Sequence, residues 1–99
     1  MEQSLNGQIV LPPVTATYDI LKSTIVTLKL PKLLTSVLLA QVDIAKYWDA
    51  RTPKKAGYQK FEFGALDILK ATLKIYRQKR IITTEQYSSL EVIINKLRS

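Results

Sequence analysis

Apolar residues recur along this chain at spacings of three and four, and the interruptions fall at turn-forming residues. Tyr18, Leu21, Ile25 and Leu28 form the first run, one stripe of an amphipathic helix. Thr15 or Thr17 suits its N-cap, with Asp19 in the first turn facing the positive helix end. The β-branched residues Ile20, Thr24, Ile25, Val26 and Thr27 lower helix propensity, so a strand over 24–30 competes with this reading. Pro31 ends the segment in either case.

The stretch LLTSVLLAQVDIAKYW, 33–48, predicts a second helix. Leu34, Leu38, Gln41, Ala45 and Trp48 share one side; Leu33, Val37, Ala40, Ile44 and Tyr47 fill the neighbouring one. The apolar arc spans roughly 200°, about twice the width that packing on a single core needs. A third helix is expected over 61–79, where Leu66, Leu69, Leu73 and Tyr76 repeat the stripe and Ala65, Ile68, Thr72 and Ile75 widen it. Gly64 is expected to allow close helix approach. Thr83 and Gln86 have the spacing of a capping box, Ile82 that of a staple residue, and Tyr87, Leu90, Ile94 and Leu97 carry the fourth stripe. Between the second and third helices, 49–60 forms a basic connection punctuated by Pro53 and Gly57. Residues 1–14, with Gly7 and the Pro12-Pro13 pair, read as an extended N-terminal arm. The expectation is all-α: an antiparallel four-helix bundle over 15–99 preceded by that arm.

The surplus apolar width changes the picture from a lone bundle to one that meets another subunit. Leu33, Val37, Ile44, Tyr47, Trp48, Ile68 and Ile75 are the expected oligomer interface. Tyr47 and Trp48 suit a core or a subunit contact better than a ligand cage.

Composition excludes several chemistries. The 99 residues include no Cys and no His, which removes disulfides, thiolate chemistry and any His-based nucleophilic pair. Asp43, Asp49, Glu62 and Asp67 form no acid–base pattern and read as solvated carboxylates. No metal-ligand spacing or nucleotide loop occurs, so neither cofactor nor catalysis is expected. No apolar run reaches membrane-spanning length, and the N-terminal stretch lacks the basic start of a secretory signal; no membrane contact and a cytoplasmic setting are the expectation.

Charge supplies the functional lead. Fifteen Lys and Arg against eight Asp and Glu give +7, which favours an acidic partner. The stretch LKATLKIYRQKR, 69–80, holds five cations and no acid. On a helical wheel Lys70, Lys74 and Arg77 fall within about 60° of one another. Lys79 and Arg80 crowd the helix end, and Lys54 and Lys55 precede it in the connection. One reading is a solvated face, with cations complementing the helix dipole and Asp67 pairing Lys70 at i,i+3. The other is a nucleic-acid grip, in which phosphates neutralise Lys54, Lys55, Lys70, Lys74, Arg77, Lys79 and Arg80 by counterion release. Tyr58 and Tyr76 lie between basic residues and could stack on bases, although a core place suits Tyr76 better.

Taken in order, TYDILKSTIVTLKLPK, LLTSVLLAQVDIAKYWDAR and LDILKATLKIYRQKRIITTEQYSSLEVIINKL resemble the four-helix-bundle family of ribosomal RNA intervening-sequence proteins and diversity-generating retroelement accessory variability proteins. The resemblance covers 17–97 and is best over 66–97. It implies a basic, oligomeric bundle that binds nucleic acid beside an enzyme such as a reverse transcriptase, with Lys70, Lys74 and Arg77 as backbone contacts. The rival expectation is a protein-binding adaptor or inhibitor of phage or plasmid type, whose basic face meets an acidic protein.

Overall fold

A computed structural model describes residues 13–51 and 57–98, and among these every regular element is helical. Helix α1 spans Pro13–Thr27, α2 Lys32–Asp49, α3 Tyr58–Gln78 and α4 Thr84–Arg98. Each helix packs on two neighbours, in the closed order α1–α2–α3–α4–α1, and the diagonal pairs stay apart. This is the antiparallel four-helix bundle that the apolar stripes predict. No helix among the described residues is long and apolar enough to cross a membrane.

The core is built from the stripe residues. Tyr18, Leu21, Ile25, Leu38, Leu66, Leu69, Leu73, Leu90 and Ile94 are fully buried. Burial of each such aliphatic side chain contributes about 1.5–3 kcal/mol, which repays helix ordering that short isolated segments do not sustain. Val42, outside both expected sides of α2, is equally buried. It stands four residues after Leu38 and three before Ala45, so the core-facing side of α2 runs through it.

Several boundaries differ from expectation. Helix α1 begins at Pro13, inside the expected arm, because proline is pre-organised for the first helical turn, where its missing N–H costs nothing. Thr15 and Thr17 therefore lie within the helix, and Asp19 is beyond its first turn. Residues 1–12 of the arm are outside the described residues. The strand over 24–30 does not form. The helix runs to Thr27, and the Thr24 and Thr27 hydroxyls donate to the carbonyls of Ile20 (2.8 Å) and Thr24 (2.6 Å). Helix α3 starts at Tyr58, after Gly57 in a left-handed conformation at φ 101° that glycine adopts without steric cost. Gly64 permits no close helix approach: a Cβ there would meet nothing within 4 Å.

Candidate functional site

The acids of this chain are mostly spent inside the bundle. Lys22 reaches Asp43 at 2.8 Å and Lys46 reaches Asp19 at 3.4 Å, tying α1 to α2. Lys70 reaches Glu91 at 3.4 Å, and Arg98 pairs with Asp67, tying α3 to α4. Asp67 thus does not pair with Lys70. Both residues face α4, where Arg98 and Glu91 are within reach. Glu62, expected as a solvated carboxylate, is 3% exposed and accepts a 2.6 Å hydrogen bond from the Tyr18 hydroxyl. Its burial follows from position: it precedes Leu66 by four residues and Leu69 by seven, on the core stripe.

The sequence-derived cations divide into two groups. Lys70 and Arg77 bridge to α4, Arg77 by stacking its guanidinium 4.4 Å from the Tyr87 ring centroid. Lys74, Lys79 and Arg80 are exposed and make no ion pair with the described residues. Lys54 and Lys55 are outside the described residues.

Topology adds two cations that sequence reading missed. The α1–α2 turn emerges at the same end as the α3–α4 turn; Lys29 lies in it and Lys32 opens α2 beside it, both exposed. Lys29 and Arg80 are also the described non-glycine residues with positive φ, at 55° and 62°. Each follows a helix C-terminus by two residues. The Arg80 amide donates to Arg77 (3.0 Å) and the Ile81 amide to Tyr76 (2.8 Å), closing the last turn of α3. The Lys29 amide does the same to Val26 at 3.2 Å. Glycine is the usual residue at such positions, because a side chain there costs about 1–2 kcal/mol. Each turn accordingly holds a long cation in a strained conformation at one end of the bundle. Glu85, in the first turn of α4, lies at this same end.

A second surface is apolar. On α2, Leu33, Val37, Ala40, Ile44 and Tyr47 are all exposed, and their spacing alternates four and three. On α3, Phe61, Gly64, Ile68, Ala71 and Ile75 alternate three and four, and the large ones are exposed: Phe61 47%, Ile68 55%, Ile75 47%. That alternation is the seam of a coiled coil. Between the two seams lies a groove of about 390 Å³, lined by Ile44, Trp48, Phe61, Gly64, Ala65 and Ile68 with Gln41 and Lys60. Of the expected oligomer residues, Ile44, Trp48 and Ile68 meet in this groove, and Leu33, Val37, Tyr47 and Ile75 extend the same face.

The aromatic residues close one end of the groove. Trp48 stacks on Phe61 at 4.8 Å between centroids and meets Tyr58 edge-on at 5.2 Å, so Tyr58 is a packing residue. Arg51 covers the Tyr47 ring at 3.6 Å. Tyr76 is buried, and burial raises its pKa above the ordinary phenol value. Among the described residues no cluster of His, Cys, Asp or Glu is arranged to hold a metal ion. Compared with protein-family models, curated proteins and solved structures, the chain matches none.

Proposed function

We propose that this chain is a nucleic-acid-binding accessory protein: an oligomeric basic bundle, non-catalytic and cytoplasmic, that assists a nucleic-acid enzyme such as a reverse transcriptase. One observation carries the reading. Asp19, Asp43, Asp67 and Glu91 are consumed in ties between helices and Glu62 is buried, which leaves Lys29, Lys32, Lys74, Lys79 and Arg80 without a paired acid among the described residues. Self-repulsion at that end is relieved by phosphates, each contact releasing counterions. The described cations lie at turns and on one exposed helix flank, so the contacts proposed are to backbone and carry little sequence preference.

The measurement is the salt dependence of binding to a mixed RNA and DNA pool. Neutralising three to five phosphates gives a slope of roughly −2 to −4.5 in log K against log salt. Joint replacement of Lys74, Lys79 and Arg80 by Glu should abolish binding while leaving helicity intact, because all three side chains are exposed. Lys70 and Arg77 are poor choices for this test, since they hold α3 to α4. A reverse-transcriptase gene beside the coding sequence would support the enzyme partner that the family resemblance implies.

The protein-adaptor reading is favoured by a different observation, the exposed apolar face of α2 and α3. It predicts no binding to the nucleic-acid pool even at low salt.

A further inference from the structure

We infer that the basic end of the bundle grips a double-stranded nucleic acid, with one turn on each strand across a groove. This rests on the nucleic-acid reading above and narrows its partner to a duplex.

Topology divides the cations into two ridges. The helices pack in the closed order α1–α2–α3–α4–α1, so the α1–α2 and α3–α4 turns cross opposite edges of one bundle end. Lys29 and Lys32 stand on one edge. Lys79 and Arg80 stand on the other, with Lys74 on the α3 flank beside them, and all five are exposed. Glu85, in the first turn of α4, offsets one charge of the second ridge and leaves the first untouched. Packed helices lie about 8–10 Å apart, which sets the backbone separation of the two turns; their long side chains reach further out. A single strand presents one line of phosphates, which can follow either ridge alone. A duplex presents two lines flanking a groove, roughly 12 Å wide for the major groove of B-form DNA and wide and shallow for the minor groove of A-form RNA. Both ridges are engaged together by the duplex.

The aromatic residues point the same way. Single-strand binding draws on bases stacked against exposed rings, at about 1–3 kcal/mol per base. All eight Phe, Trp and Tyr side chains lie within the described residues. Tyr76 and Tyr87, the ones at the basic end, are 7% and 3% exposed and so offer no stacking platform. The exposed rings, Tyr47 and Phe61, stand at the end of α2 and the start of α3, at the opposite end of the bundle. Contacts at the basic end are therefore to phosphates alone, and a duplex carries about twice the phosphate charge of one strand per length of axis.

Both ridges are also held at a fixed spacing. In the α1–α2 turn the Leu28 amide donates to Ile25 at 3.1 Å, and the Thr35 hydroxyl of α2 donates to the Leu30 carbonyl at 3.3 Å. In the α3–α4 turn the Ile81 and Ile82 amides both donate to the Tyr76 carbonyl, and Ile82 is buried in the core. Rigid cation rows suit a partner whose groove width is itself fixed, because little is lost to ordering on contact.

The test is fluorescence anisotropy of the full chain with a labelled RNA duplex, a labelled DNA duplex and the separated strands of each, at several salt concentrations. One duplex form or both should bind at least about tenfold more tightly than its strands. Engaging both ridges gives a salt slope of roughly −4, and a strand on one ridge roughly −2. Two paired variants divide the ridges: Lys29→Gln with Lys32→Gln, and Lys79→Gln with Arg80→Gln. Each should lower the duplex slope by about two, with helicity unchanged by circular dichroism. Single-strand affinity should change by less than about threefold in either, since the other ridge remains. Strands bound as tightly as duplexes, or paired variants that weaken both substrates equally, would overturn the duplex grip while leaving the nucleic-acid reading standing. No binding to any of the four probes would overturn both.

Discussion

Tyr18 donates its hydroxyl to Glu62 Oε2 at 2.6 Å, joining α1 to α3 across the diagonal of a bundle whose diagonal helices otherwise stay apart. The same hydroxyl lies 3.4 Å from the Ala45 carbonyl of α2, so one side chain touches three helices. Burial raises the Tyr18 pKa far above the ordinary phenol range, and the hydrogen bond to Glu62 raises it further. The folded state therefore keeps the proton where the unfolded chain releases it. Stability from this group is complete below the unfolded value near pH 10 and falls as pH rises beyond it. Tyr18→Phe should flatten that alkaline decline by up to about 1.4 kcal/mol per pH unit. At neutral pH the same variant should cost about 1–3 kcal/mol, because the buried Glu62 carboxylate loses a donor. Denaturant midpoints between pH 7 and 11 measure both effects; an unchanged alkaline slope would remove Tyr18 as the titrating group.

Tyr87 offers the opposite case. It is 3% exposed, and its hydroxyl has no hydrogen-bond partner among the described residues. Burying an unsatisfied hydroxyl carries a desolvation cost with nothing to offset it. Tyr87→Phe should be neutral or stabilising by about 1 kcal/mol, since the ring beneath Arg77 is retained. Chemical denaturation of the two Tyr→Phe variants side by side should show a loss at Tyr18 and none at Tyr87 at neutral pH. A loss at Tyr87 matching that at Tyr18 would show that its hydroxyl finds a partner.

The start of α4 is the cleanest local signal in the chain. The Thr83 amide donates to Gln86 Oε1 at 2.9 Å and the Gln86 amide to Thr83 Oγ1 at 3.0 Å, so each residue satisfies a backbone group of the other. Ile82, just before the cap, is buried at 3% exposure. Thr83→Ala should destabilise by about 1 kcal/mol, and Thr83→Ser should restore most of it. Thermal or urea unfolding followed by circular dichroism is sufficient to read the difference.

These examples mark what the sequence could convey. The capping box was legible because its residues are three apart and interact within one turn. The stripes were legible because helical periodicity alone decides which positions share a side. Glu62 was also legible, since it occupies the core stripe of α3, but its charge argued for solvent and the position argued for burial. Position prevailed because Tyr18 supplies a donor from the far side of the bundle. The partner of Lys70 was not legible. Choosing Glu91 over Asp67 depends on the register between α3 and α4, a property of packing. Nor was the placing of Lys29 and Lys32 at the same end of the bundle as Lys79 and Arg80, which follows from two turns sharing one end of an antiparallel bundle. The left-handed backbone at Lys29 and Arg80 had no signal either, because neither residue is a type that favours it.

That backbone gives a prediction in which stability and binding move in opposite directions. A non-glycine residue in the left-handed region costs about 1–2 kcal/mol, and glycine relieves this at the expense of about 0.4–1 kcal/mol of added unfolded-state entropy. Arg80→Gly and Lys29→Gly, at φ 62° and 55°, should each stabilise the bundle by about 0.5–1 kcal/mol. If these residues serve only the fold, glycine improves it and nothing is lost. If they hold a polyanion, each change should also reduce the salt slope of nucleic-acid binding by about one unit, because one phosphate contact is removed. Arg80→Lys keeps the charge and the strain, and should leave both quantities near their original values. Paired measurement of urea midpoints and binding isotherms at several salt concentrations separates the cases. A stabilised Arg80→Gly chain with an unaltered salt slope would show that this cation meets no phosphate.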